Sequence, residues 1–182
     1  MAVSQFNEHT RRIIVSGMIR EESAAVFLEQ ISALEFLDVI KPITVYIDTY
    51  GGSIDAALSM YDAMLVCACP IKTIGIGKIM SAGVLLLAAG DKGQRFISPN
   101  ARVMMHQVSG GAQGTVKDID IVEKEMVRIQ DLFVDLLAKH TSKNKKQILQ
   151  DIAADKYMSA QESLNYGIVD FVLTSKNKKK LK

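Results

Sequence analysis

The stretch from Ile43 to Gly77, ITVYIDTYGGSIDAALSMYDAMLVCACPIKTIGIG, decides the fold. Its first six residues, Ile43 to Asp48, are a β-branched run entered through Pro42 and ended by the turn Tyr50-Gly51-Gly52, which predicts a strand. Ser53 then stands as the N-cap of a helix over Ile54 to Ala68, which Pro70 stops. Ile71 to Gly77 is a second strand of the same kind. Strand, helix and strand in immediate succession make a βαβ unit, with parallel strands and a right-handed crossover.

The same alternation continues on both sides. Arg12 to Ser16 predicts a strand closed by Gly17, and Glu21 to Leu37 a helix with Ala25, Leu28, Ile31 or Ser32, and Phe36 at helical spacing. Beyond Gly77, Ser81 to Ala89 is a short, almost wholly apolar helix that should be buried. Arg95 to Ile97 and Arg102 to His106 are short strands around Pro99 and Asn100. A long helix over Val116 to Lys139 opens with a capping box, Thr115 to Asp118, and a shorter one covers Lys143 to Ala153. A second capping box at Ser159 to Glu162, a C′ glycine at Gly167 and a last strand over Ile168 to Leu173 close the pattern. Alternating strands and helices place the chain in the α/β class. The long helix is more than one side of a small core needs, so part of it is expected to pack on another subunit.

Composition bounds what such a chain can be. With 182 residues, 48% apolar and 23% charged, only 3 Pro and 2 Cys, it suits one globular domain and excludes disordered, collagenous and disulfide-stapled classes. The apolar run Ile79 to Ala89 is shorter than the ~20 residues a bilayer span needs, and the first twenty residues hold no apolar block of a signal peptide. A cytoplasmic location without membrane contact is the expectation. Five lysines fall in the last seven residues, leaving 17 basic against 20 acidic residues elsewhere, a net of −3. That tail, residues 176–182, is expected to be a solvated, disordered end. With no basic stripe bearing interleaved aromatics, nucleic-acid binding is not expected. Cys67 and Cys69 stand too close for unstrained disulfide geometry, and His9, His106 and His140 have no ligand-like spacing, so neither a disulfide nor a metal is expected.

Four features bear chemistry. Ser81 follows a strand and opens an apolar helix, where free N–H groups face a developing oxyanion; it is equally an N-cap. The G-x-S-x-G elbow of α/β-hydrolases is absent, since Ile79 stands at its first glycine. His106 ends a strand and is either a base or a structural group. Gly51 and Gly52 form a tight turn or a pair of unhindered donors at the C-terminal edge of the sheet, and Asp155 alone is a helix-flanking charge.

Taken together, these features resemble the proteolytic subunit of the Clp protease. The likeness rests on Tyr46-Ile-Asp-Thr-Tyr-Gly-Gly-Ser53, Met60-Tyr-Asp62 and Gly77-Lys-Ile-Met-Ser-Ala-Gly83. It continues through Leu86-Leu-Ala-Ala-Gly-Asp-Lys-Gly93, Pro99-Asn-Ala-Arg-Val-Met-Met-His-Gln107 and Met158-Ser-Ala-Gln-Glu-Ser-Leu-Asn-Tyr-Gly-Ile-Val-Asp170, and covers Arg12 to Leu173. The resemblance implies a spiral of βαβ units like that of Clp subunits and crotonases, with residues 1–11 as a short arm and 12–175 as one protease domain. Residues 107–139 would form a handle, strand plus long helix, between two stacked seven-membered rings.

By the same resemblance Ser81 is the nucleophile, His106 the general base and Asp155 the carboxylate that orients it. The backbone N–H groups of Gly52 and Ala82 make the oxyanion hole, and Gly110 and Gly111 lie on the strand that aligns substrate. The implied activity is hydrolysis of peptides and unfolded proteins in an oligomeric chamber, without a cofactor. Against the family pattern, Tyr50 replaces a proline, Lys78 and Met80 replace small or amide side chains, Ala82 a methionine, and Ala154 an arginine that couples the rings. Only eleven residues precede the first strand, so docking to a hexameric AAA+ unfoldase is expected to be weak. A ring-forming paralogue with a misaligned triad and a crotonase-type acyl-CoA enzyme are the competing readings.

Overall fold

A computed structural model describes residues 9–175; the first eight residues of the expected arm and the Lys-rich tail lie outside the described residues. Seven strands and six helices lie among them. β1 (Arg12–Ile19), α1 (Glu21–Leu37), β2 (Ile43–Gly52), α2 (Ile54–Val66) and β3 (Ile71–Met80) come first, followed by α3 (Ala82–Ala88), β4 (Arg95–Ile97) and β5 (Arg102–Met105). α4 (Val116–His140), α5 (Lys145–Ile152), β6 (Lys156–Ser159), α6 (Ala160–Tyr166) and β7 (Phe171–Val172) complete the chain. The sheet runs β1-β2-β3-β4-β7 with every pair parallel, as the βαβ pattern requires.

β3 serves two neighbours in turn. Thr73 to Gly75 pair with β4, whereas Lys78 to Met80 pair with β5, which pairs antiparallel with β6. The strand therefore carries the sheet around a corner, and Ser81 follows directly at the end of its second half. α3 lies wholly buried behind it, with Leu85, Leu86 and Leu87 fully covered. Burying three such side chains contributes roughly 1.5–3 kcal/mol each.

Several expectations are corrected here. Tyr50-Gly51-Gly52 is no turn: β2 runs on through Gly52, and Met18 and Ile19 of a longer β1 pair with Gly51 and Gly52. α1 buries Ala24, Phe27, Ile31 and Leu34, not the face of Ala25, Leu28 and Phe36; Phe36 is 92% exposed. Both faces carry apolar residues at helical spacing, so periodicity alone did not separate them. β6 is a strand that the residues Lys-Tyr-Met-Ser do not advertise. Residues 106–113 form no strand, contrary to the expected strand in the handle, because no other part of the described chain offers them a ladder.

One buried ion pair ties the last third of the chain to the sheet. Arg95 Nη2 and Nε donate to Asp170 Oδ1 at 2.6 Å and Oδ2 at 3.0 Å, while Nη1 donates to the carbonyl of His140 at 2.6 Å. The backbone N–H groups of Gly93 and Arg95 also donate to Oδ2. Burial raises the Asp170 carboxyl, but the hydrogen bonds from Arg95 outweigh it and hold the group below its ordinary value. Because the folded-state value is depressed, this stabilisation is present above about pH 4 and is lost as pH falls further. Asp170→Ala strands a buried guanidinium and is expected to cost about 3–5 kcal/mol. A urea midpoint within error of the parent would contradict that.

Candidate active site

Ser81 is held in a conformation that serine rarely adopts. Its φ is +55° and ψ −127°, one of two positive-φ residues other than glycine among the described residues, and such strain costs about 1–3 kcal/mol. The surroundings enforce it: Ser81 N–H donates to the carbonyl of Met104 on β5 at 2.8 Å, and its own carbonyl accepts from Val84 N–H at 3.0 Å. The side chain does not cap α3. It points instead to His106, with Oγ and Nε2 2.8 Å apart. A strand-turn-helix elbow thus forms without the first glycine of the hydrolase signature, while Gly83 keeps the role of the second: a Cβ there would sit 2.4 Å from Thr49 Cγ2.

Gly51 fits beneath this elbow for a steric reason. A Cβ at Gly51 would lie 2.7 Å from Ser81 Cβ and 2.8 Å from the Met80 carbonyl oxygen, and its φ of +91° favours glycine independently. Its N–H donates to Thr49 Oγ1 at 2.9 Å, and the same hydroxyl donates to the Gly17 carbonyl, so β1, β2 and the elbow are fastened together. Gly52 and Ala82 line one cavity of about 270 Å³ with Ser81 and His106, and Ile54, Val108 and Phe133 supply its apolar wall. As the first residue of α3, Ala82 has an N–H without an intrahelical acceptor.

Tyr50 and Lys78, which the sequence marks separately as departures, form one cluster. Lys78 Nζ lies 2.8 Å from Asp48 Oδ1 and 4.8 Å from the centre of the Tyr50 ring. The pair joins β2 and β3 just before Gly51 and Ser81, supplying a cross-link where a proline would have supplied rigidity.

Asp155 stands beside the site without being joined to it. The β5-β6 ladder ends at the pair Met105 and Lys156, so His106 and Asp155 are the next residues on the two strands. Asp155 is exposed, and among the described residues no hydrogen bond or ion pair links it to His106. Gly110 and Gly111 are exposed and lie beyond Ser109, the last residue of their segment to line the cavity. Sequence reasoning missed Asp55, Val108 and Phe133 as wall residues. Asp55 was hidden as an ordinary acidic helix start, and Phe133 as one more apolar position in α4.

A serine forced into positive φ, in contact with an imidazole and packed against a glycine-bearing strand end, suits nucleophilic acyl transfer. No helix among the described residues is long and apolar enough to cross a membrane. The family model for Clp protease matches residues 2–176, nearly the whole sequence. With this fold and with blocks in order from Tyr46 to Asp170, the chain belongs to the Clp protease family.

Proposed function

We propose that this chain is a serine endopeptidase subunit that hydrolyses peptides and unfolded proteins. The observation that carries the reading is the 2.8 Å contact between the strained Ser81 hydroxyl and His106 Nε2. In the first step His106 Nε2 accepts the hydroxyl proton as Oγ bonds to the substrate carbonyl carbon. Negative charge develops on the carbonyl oxygen, where the N–H groups of Gly52 and Ala82 would receive it. The imidazolium returns the proton to the leaving amine, and water repeats the cycle on the acyl-enzyme. Asp155, by rotating onto Nδ1–H, would hold the tautomer and balance the imidazolium. Gly110 and Gly111 would lend their exposed backbone to an extended substrate, gaining the ladder that a lone chain cannot give them. Steady hydrolysis of a short fluorogenic peptide, abolished by a fluorophosphonate, tests the reading; inert protein would refute it.

Assembly into rings is part of the proposal. The first four turns of α4 expose Val116, Ile119, Ile121 and Val127, and burial begins only at Phe133. A helix half-stripped of its core has apolar surface to give to a second subunit. Light scattering is expected to report seven or fourteen copies of the 20.0 kDa chain, and a stable monomer at micromolar concentration would contradict this. The absence of an Asp155 to His106 contact favours a second reading, a ring-forming paralogue with an idle triad; peptide turnover separates the two. Docking of a hexameric AAA+ unfoldase to such a ring is part of the proposal.

A further inference from the structure

The cavity at Ser81 carries a carboxylate. Among the described residues that line it, Asp55 is the sole acid, and His106 is the sole other titratable group. Asp55 sits in the first turn of α2, where an acidic residue complements the helix dipole whatever else it does. Its exposure in the same cavity as the nucleophile is a separate fact.

No salt bridge engages Asp55 among the described residues. Arg128 on α4 gives its hydrogen bonds elsewhere: Nε and Nη2 donate to Glu125 Oε2 and Oε1 at 2.8 Å and 2.6 Å. The carboxylate thus lines the cavity that holds Ser81 with no ion pair among the described residues, open to a cationic group of a ligand. Around it the wall is apolar, from Ile54, Val108 and Phe133. A long side chain with a methylene stem and a cationic end matches that combination, since the stem covers apolar surface while the head reaches the carboxylate.

Resting on the peptidase reading above, we propose that Asp55 selects substrates with lysine or arginine flanking the scissile bond and rejects those with glutamate or aspartate there. A carboxylate at the wall attracts the first and repels the second, so discrimination comes from both signs. Because Asp55 is exposed, salt weakens the effect.

The test uses the assembled full-length protein and a degenerate peptide library, with cleavage sites mapped by mass spectrometry and kcat/KM measured on peptides differing only in Lys, Leu or Glu at the mapped position. The parent is expected to prefer Lys over Glu by roughly tenfold at low ionic strength, shrinking at 0.5 M salt. Asp55→Asn is expected to erase most of that ratio and Asp55→Lys to invert it. Fluorophosphonate labelling of Ser81 accompanies every variant. If Ser81 labels but the Lys to Glu ratio is flat in the parent, or is unchanged by Asp55→Asn, the selectivity proposal is overturned alone. If Ser81 neither labels nor supports turnover in the parent, the peptidase reading fails and this proposal falls with it.

Discussion

Ser81→Ala is expected to lower peptide turnover by about 10⁶, the scale on which a serine protease loses activity with its nucleophile. Little else should change. The alanine methyl keeps the Cβ that packs on Gly51, and the backbone bonds that Ser81 donates to Met104 and accepts from Val84 do not involve the hydroxyl. Removing a hydroxyl from a residue at positive φ relieves none of the backbone strain, so stability should stay within about 1 kcal/mol. The check is kcat/KM on a short peptide beside a denaturation curve. Turnover at the parent rate would remove Ser81 from the mechanism, whereas unfolding would make the loss uninformative and is not expected.

Asp155→Asn carries the second-largest expected effect, a fall in kcat of roughly 10⁴, as found when an orienting carboxylate becomes an amide in a serine triad. The substitution preserves size at an exposed position, so folding is not at stake. The magnitude decides between two mechanisms. A full loss means that Asp155 swings onto His106 during the cycle, across the short step from the Met105 and Lys156 pair. A loss under tenfold means that Ser81 and His106 act as a dyad and that the open geometry is the working one.

How much of this was legible in the sequence differs from residue to residue. The βαβ pattern announces itself through Val45, Ile47, Ile71 and Ile74, which are β-branched and buried, and the caps at Thr115 and Ser159 form as their spacing predicts. Ser81 and His106, 25 residues apart in the chain, meet because β3 hands its second half to β5, a long-range pairing that no local pattern encodes. Tyr50 to Gly52 reads as a turn because paired glycines weaken a strand; here β1 extends alongside and keeps them in the ladder. Which face of α1 is buried is not legible, because Phe36 lies at helical spacing on the exposed face, a distinction that only packing against α2 and β1 makes.

The central claim, that Ser81 is an activated nucleophile, is tested most directly by reacting the assembled protein with a fluorophosphonate and locating the adduct by peptide mass spectrometry. Such a probe needs both a deprotonatable hydroxyl and an oxyanion site, so it interrogates the Ser81 to His106 contact and the proposed Gly52 and Ala82 donors together. The expected result is one adduct per chain on Ser81, lost in His106→Ala. An adduct on another residue, or no adduct in protein that is folded and assembled, would contradict the account.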